Sequence, residues 1–285
     1  MRNITYVSLL LIFYIPSSWG VVPVDVVYRA DSRNITEIED TAGMWPRTGA
    51  IPDDDLAHHF EGESIENHTS NFISTSSSLQ IAVDHAESMI RAGNDDENYD
   101  GDYPENFTYY IYMIRPDSNF YNVDESFIHA RNTSTNAIRT SRLNYLINSY
   151  LGMNEWVARG GVPHQRIIAR VGLTSEMYRQ YGLAIFNASF LESRWELYRG
   201  YDASYNRDVG NNQVYDRIDV PSGIMRGIEN GDDPLILLGL TCMSEYSGPS
   251  SRRQESSEGS CPAMKIKRVI YDTHLRRKIL LLMEE

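Results

Sequence analysis

The stretch FTYYIYMIRP, Phe107–Pro116, constrains the fold of this chain more than any other. Aromatic and β-branched residues crowd into it, and such a run suits a pleated strand. An isolated strand is not stable in water, so partners are required. Three further segments offer them: Val24–Tyr28, the start of NFISTSSS (Asn71–Ser78), and Val162–Val171 from its proline start. Between these lies LQIAVDHAESMIRA, Leu79–Ala92, whose Ile81, Ala82, Met89 and Ile90 recur at helical spacing. Ser76–Ser78 offer its N-cap and Gly93 its end. Arg142–Tyr150 reads as a short helix. Gly43–Asp55, with its Gly, Pro and Asp, reads as a mobile loop, and Tyr198–Asp219 as loop for want of any period. Strands interrupted by single helices, without a repeated strand–helix–strand unit, predict an α+β fold. There is no internal repeat.

The ends of the chain carry different signals. Arg2, the apolar run VSLLLIFYI (Val7–Ile15), and the small residues Ser18 and Gly20 read as a secretory signal over residues 1–20. The run is shorter than the roughly 20 residues that span a bilayer; a buried N-terminal strand is the other reading. No later segment is apolar over such a length, so a stable membrane anchor is not expected. The net charge of −13 argues against nucleic acid as a partner, because like charge repels phosphate. One small basic pocket stays compatible with it. Cys242 and Cys261 are the only cysteines, and in a secreted chain they should pair. Closing a loop of that size stabilises by roughly 3 kcal/mol, too little to hold up a domain. Inside the loop, a polar, Ser-rich stretch carries Arg252–Arg253, an exposed target for proteolysis. The division is then 1–20 signal, 21–241 main domain, 242–261 cysteine loop, and 262–285 a basic, helix-patterned tail.

Chemistry concentrates in three short motifs. Tyr28-Arg29-Ala30-Asp31 ends a strand on a guanidinium and a carboxylate. Either the charges face water at a sheet edge, or a fixed cation is delivered to a cleft. Ser74-Thr75-Ser76 ends a second strand, where a helix N-cap is the plain reading. Glu155 stands in GMNEWVARGGVP. In this order the trio resembles the Arg/Ser/Glu class of mono-ADP-ribosyltransferases, and more narrowly the A subunits of cholera-like and pertussis-like toxins. YRADSR followed by GMWPRTG is similar to the cholera type, FISTSSS and IRPDSNFYNV to the pertussis type, and NEWVARGGVP again to the cholera type. The resemblance runs from about Val24 to Val171 and returns at the cysteine loop.

That resemblance implies two small packed sheets around an NAD cleft, flanked by helices. It implies Glu155, Arg29 and Ser74 as catalytic residues, with NAD held by Arg29, Asp31, His59, Ser74 and Thr75. Breaking the nicotinamide–ribose bond passes through an oxocarbenium-like state, and a carboxylate on the ribose hydroxyls stabilises it. Glu155 would do this, oriented by Ser74, while Thr75 braces the strand. Arg29 offers a fork of donors for a phosphate or a backbone carbonyl, and Asp31 would fix its orientation. His59, in HFEG, would hold the adenosine-side ribose or the neighbouring strand; His58 beside it competes for that assignment. Met153 departs from the family, where a glutamate or glutamine stands on the acceptor side. A thioether is no base, so cysteine, asparagine or water compete with arginine as acceptor. The resemblance further implies nicking at Arg252–Arg253, release by reduction of Cys242–Cys261, and docking of the tail into a homopentamer of receptor-binding B subunits. The acceptor would be a host protein, by analogy a heterotrimeric G-protein α subunit, modified in the host cytosol. No KDEL-type signal closes the chain. Two other readings stay open: an NAD glycohydrolase and a non-catalytic secreted binding protein. No metal is expected. The calcium-loop match from Asp96 breaks down at Phe107 in its twelfth position, and Pro104 intrudes.

Overall fold

In a computed structural model of the protein, the described residues are 20–46, 48, 51–92 and 103–219. Residues 1–19 of the expected signal, Gly93, the acidic run 94–102, Cys242, Cys261, Arg252, Arg253 and the tail 262–285 lie outside them.

Among the described residues nine strands form: β1 (Val27–Asp31), β2 (Gly43–Met44), β3 (Phe72–Ser76), β4 (Thr108–Ile114), β5 (Phe120–Asn122), β6 (Glu155–Arg159), β7 (Val162–Pro163), β8 (Ile167–Thr174) and β9 (Glu196–Leu197). Eight α-helices accompany them among the described residues: α1 (Ile35–Asp40), α2 (Leu56–Phe60), α3 (Glu63–Glu66), α4 (Leu79–Ala92), α5 (Val123–Thr133), α6 (Ala137–Tyr150), α7 (Ser175–Tyr181) and α8 (Ala188–Leu191). Seven strands make one antiparallel sheet in the order β5-β6-β3-β1-β4-β8-β9, and β2 pairs with β7 in a small second sheet. The α+β class expected from the sequence is the one observed.

The large sheet has a seam. β1 and β4 align over five residue pairs, and β3 and β6 over five, but β1 and β3 share the single pair Tyr28↔Ser76. The expected pair of sheets therefore takes the form of two halves, β5-β6-β3 and β1-β4-β8-β9, divided at that seam. A shared core spans the seam, with Ile73, Trp156 and Ala158 of one half against Val27, Tyr112 and Ile114 of the other. Each half also has its own helix-covered core. α2, α5 and α6 cover one, packing Phe60, Phe127, Leu143 and Leu146 on Phe72 and Val157. α4 covers the other, with Ala82, Val83, Ala86 and Ile90 on Ile111, Val171 and Leu173. Of the helical stripe read from the sequence, Ala82, Met89 and Ile90 are buried and Ile81 only partly so, while Val83 and Ala86 complete the buried face.

Local chemistry explains where elements differ from expectation. α6 begins at Ala137, five residues before the predicted Arg142, because Asn136 caps it by accepting from the Ile138 and Arg139 amides. β1 is displaced from Val24–Tyr28 to Val27–Asp31, carrying both charged residues into the sheet. The predicted strand Val162–Val171 is broken by a helical turn at His164–Arg166, after which β8 runs on to Thr174. Gly43–Met44, expected as loop, pairs with Val162–Pro163. Gly161, ahead of that pair, sits at φ 103°, where a side-chain carbon would lie 2.4 Å from Trp45 Cε3; only glycine fits. The segment to Asp219 is irregular, as expected, but not peripheral. Tyr215 and Ile218 are buried against α5 and α6, and the Tyr215 hydroxyl donates to the Asp54 carbonyl at 2.7 Å. No helix among the described residues is long and apolar enough to cross a membrane.

Candidate active site

β1, β3 and β6 lie in the middle of the large sheet and bring Arg29, Ser74 and Glu155 together. Alternation along β1 sets Arg29 and Asp31 on one face, two residues apart. They are only 2% and 3% exposed, so the reading of a sheet edge with charges facing water is overturned. The Arg29 guanidinium crosses the seam, its Nη1 donating to the Ser74 carbonyl at 2.6 Å. Its Nε approaches Asp31 Oδ2 at 3.4 Å. Asp31 is held more tightly by Arg33, which donates from its amide at 3.0 Å, from Nε at 2.9 Å and from Nη2 at 2.8 Å. Those bonds, with both guanidinium charges, hold the Asp31 carboxyl below the usual carboxylate range in spite of its burial. Asp31 thus divides itself between two arginines, and Arg33 is a member of the cluster that the motif reading did not single out.

Ser74 is the hub. On the β3/β6 ladder it stands opposite Val157, while Ser76 stands opposite Glu155. Ser74 and Glu155 are diagonal neighbours on one face, within reach of each other. The Ser74 hydroxyl hydrogen-bonds the Glu155 carboxyl and favours its ionised form, as does the Arg29 charge. Burial outweighs both. Together with the Asp124 charge it lifts the Glu155 pKa to about 8. His59 backs the hub, with Nε2 at 3.0 Å from Ser74 Oγ and Nδ1 at 2.7 Å from Ser70 Oγ. Burial and the Arg29 charge depress its pKa to about 3, so the imidazole is neutral at physiological pH. A neutral ring carries one N–H. When Glu155 is ionised, the order that satisfies every group runs one way: Ser70 donates to Nδ1, Nε2–H donates to Ser74, and Ser74 donates to Glu155.

The remaining predicted residues fall around this hub. Thr75 points to the opposite face and donates from Oγ1 to the Trp156 carbonyl at 2.6 Å, tying β3 to β6. Ser76 donates from Oγ to the Met153 carbonyl at 2.8 Å, fixing the turn that leads into Glu155. Met153 is therefore close to the hub through its backbone. Asn154, next in the chain, is held at φ 48°, a conformation that costs about 1 kcal/mol or more outside glycine. His58 faces away from the hub and pairs with Asp53 at 2.9 Å. The N-cap reading of the serines also has a basis: Ser78 Oγ accepts from the Ile81 amide at 3.4 Å. Tyr28 packs on Trp195, ring centroids 6.1 Å apart. One residue that the motifs did not mark is Asp124, in the first turn of α5.

These groups suit a substrate that gains positive charge as it reacts. A carboxyl is held at the hub by a hydroxyl, that hydroxyl is oriented by a neutral imidazole, and a buried guanidinium locks the strand that carries the hydroxyl.

No protein-family model matches the chain, and no curated protein matches it. Solved structures do. A heat-labile enterotoxin mutant is 22% identical over 66% of this chain and 82% of its own, with a TM-score of 0.41. Nicked CARDS toxin is 18% identical over 71% of this chain but only 34% of its own, at 0.47. The Scabin toxin from Streptomyces scabies, in complex with NADH, is 15% identical over 54% of this chain and 67% of its own, at 0.31. Similarities this distant lend the site no weight beyond what its side chains and motifs supply. The chain is thus similar to toxin chains of solved structure, and the reading of its chemistry rests on Arg29, Ser74, His59 and Glu155.

Proposed function

We propose that this chain is the catalytic subunit of a secreted toxin, which cleaves NAD between nicotinamide and ribose and transfers the ADP-ribose to a host protein. One observation carries the reading. Arg29, His59 and Glu155, distant in sequence, all bond to a single residue, Ser74, at the seam of the sheet. An ordinary surface ion pair would be worth about 0–1 kcal/mol and would not be buried in this way.

The residues divide the work. Glu155, once ionised, holds the ribose hydroxyls and stabilises the developing cation. Ser74 aims that carboxylate, and His59, locked neutral, aims Ser74. Arg29 sets the strand of Ser74 against β1 and biases Glu155 toward its charged form. Asp31 and Thr75 hold Arg29 and β3 in register. The finer features rest on sequence alone: secretion behind residues 1–20, nicking at Arg252–Arg253, reductive release of Cys242–Cys261, and docking of 262–285 into a pentamer of B subunits. The host acceptor is a regulatory protein, with a G-protein α subunit the leading analogy.

Met153 favours a second reading, an NAD glycohydrolase with water as acceptor. Incubating the nicked, reduced protein with labelled NAD and a host-cell lysate separates the two. Label on a protein band is the expected result; free ADP-ribose with no labelled protein assigns hydrolysis instead. No nicotinamide release at all would favour a non-catalytic binding protein.

A further inference from the structure

The register of the sheet brings a second carboxylate to Glu155. β5 pairs with β6 through Phe120↔Ala158, Tyr121↔Val157 and Asn122↔Trp156. The next pair would set residue 123 opposite Glu155, but there the chain turns into α5. Asn122 caps that helix by accepting from the Glu125 amide, so Asp124 falls in its first turn beside the head of β6. The two carboxyls are close enough that the Asp124 charge raises the Glu155 pKa.

Asp124 does not behave as an ordinary residue of a helix start. There, the macrodipole and open amides stabilise the ionised form. The Asp124 carboxyl is instead pushed up to about 6, by burial and by Glu125. Its Oδ1 is buried without a hydrogen-bond partner, which is destabilising unless something offsets it. The charged groups around it are few. Glu125 lies on its own helix and Glu155 on β6, with Arg29 acting on Glu155 from β1. Arg139, from the packed helix α6, is engaged further along, donating to the Ala130 carbonyl and the Ile218 carbonyl.

We propose that Asp124 is the catalytic base on the acceptor side, filling from α5 the role that Met153 cannot. The inference rests on the NAD-cleaving reading of the site. In the step, the bond from ribose C1′ to the nicotinamide nitrogen breaks, and its electron pair leaves with neutral nicotinamide. A lone pair of the acceptor, water or a protein nucleophile, forms the new bond to C1′. The acceptor's proton passes to the Asp124 carboxylate and from there to solvent. Positioned bases of this kind are worth about 10²–10⁴-fold in rate.

The test is the pH profile of nicotinamide release from NAD by wild type, Asp124→Asn and Asp124→Glu, using the full chain. Below the rise toward pH 8 that ionisation of Glu155 gives, wild type should show a further limb in kcat near pH 6. Asp124→Asn should lose that limb and fall about 100-fold in kcat, with the KM for NAD changed less than threefold. Asp124→Glu should recover at least a tenth of the wild-type rate and regain a limb. A loss of rate in both variants with the limb intact, or with NAD binding abolished, would mark Asp124 as structural and overturn the proposal. So would an Asp124→Asn profile superimposing on wild type while Glu155→Gln is inactive, which leaves the NAD-cleaving reading standing. Wild type that releases no nicotinamide sinks both.

Discussion

At the scale of single residues, the account depends on two side chains whose burial works against their own charge. Glu155 is pushed up to about 8 and His59 down to about 3. Buried neutral groups of this kind are common where chemistry is done, and they cost stability. The sign for Glu155 follows from linkage. Between the unfolded value of 4.5 and about 8, the unfolded chain has lost a proton that the folded chain keeps. Stability attributable to Glu155 therefore falls as pH rises through that window, by at most about 1.4 kcal/mol per pH unit. Glu155→Gln escapes this loss. In thermal melts at matched pH, the variant should gain on wild type steadily from about pH 5 to pH 8 and no further above it. A gap that stays constant with pH would mean that Glu155 is ionised throughout. His59 works in the opposite direction: the unfolded ring protonates below its ordinary value of 6.5 while the folded one does not, so its share of stability is lost as pH falls.

At the scale of elements, the seam between β1 and β3 matters most. A ladder with one registered pair leaves the two halves of the sheet weakly joined by backbone, and the Arg29 bond to the Ser74 carbonyl bridges them. Lysine keeps the charge but not the fork that reaches Ser74 and Asp31 together. Arg29→Lys should cost about 1–3 kcal/mol in denaturant unfolding, with the loss confined to variants that break the bridge; an unaffected midpoint would show that the seam does not need it. Much of this was legible in the sequence. β4 and α4 were marked by composition and period, and the three motifs named the residues that meet at the hub. What the sequence hid were partners chosen by register and capping. Arg33 lies two residues past Asp31, outside the motif. Asp124 became visible only once Asn122 was aligned with Trp156. Tyr215 and Ile218 sit in a stretch without period and are buried by tertiary packing on α5 and α6, which no local pattern encodes.

At the scale of the molecule, catalysis and delivery are assigned to different parts of the chain. The hub is built wholly within 29–155, whereas the cysteines, Arg252–Arg253 and the tail lie beyond 219. If the polar stretch is the exposed target that its composition suggests, a low ratio of trypsin should cut first at Arg252–Arg253. The product should run as one species without reductant and as two with it; first cuts within 103–219 would count against this division. The most direct measurement of the central claim is nicotinamide release from NAD by wild type and by Glu155→Gln, with NAD affinity measured in parallel. The account predicts release by wild type, a fall of at least 100-fold in the variant, and an affinity changed by no more than a few-fold. Equal release by both proteins would contradict it.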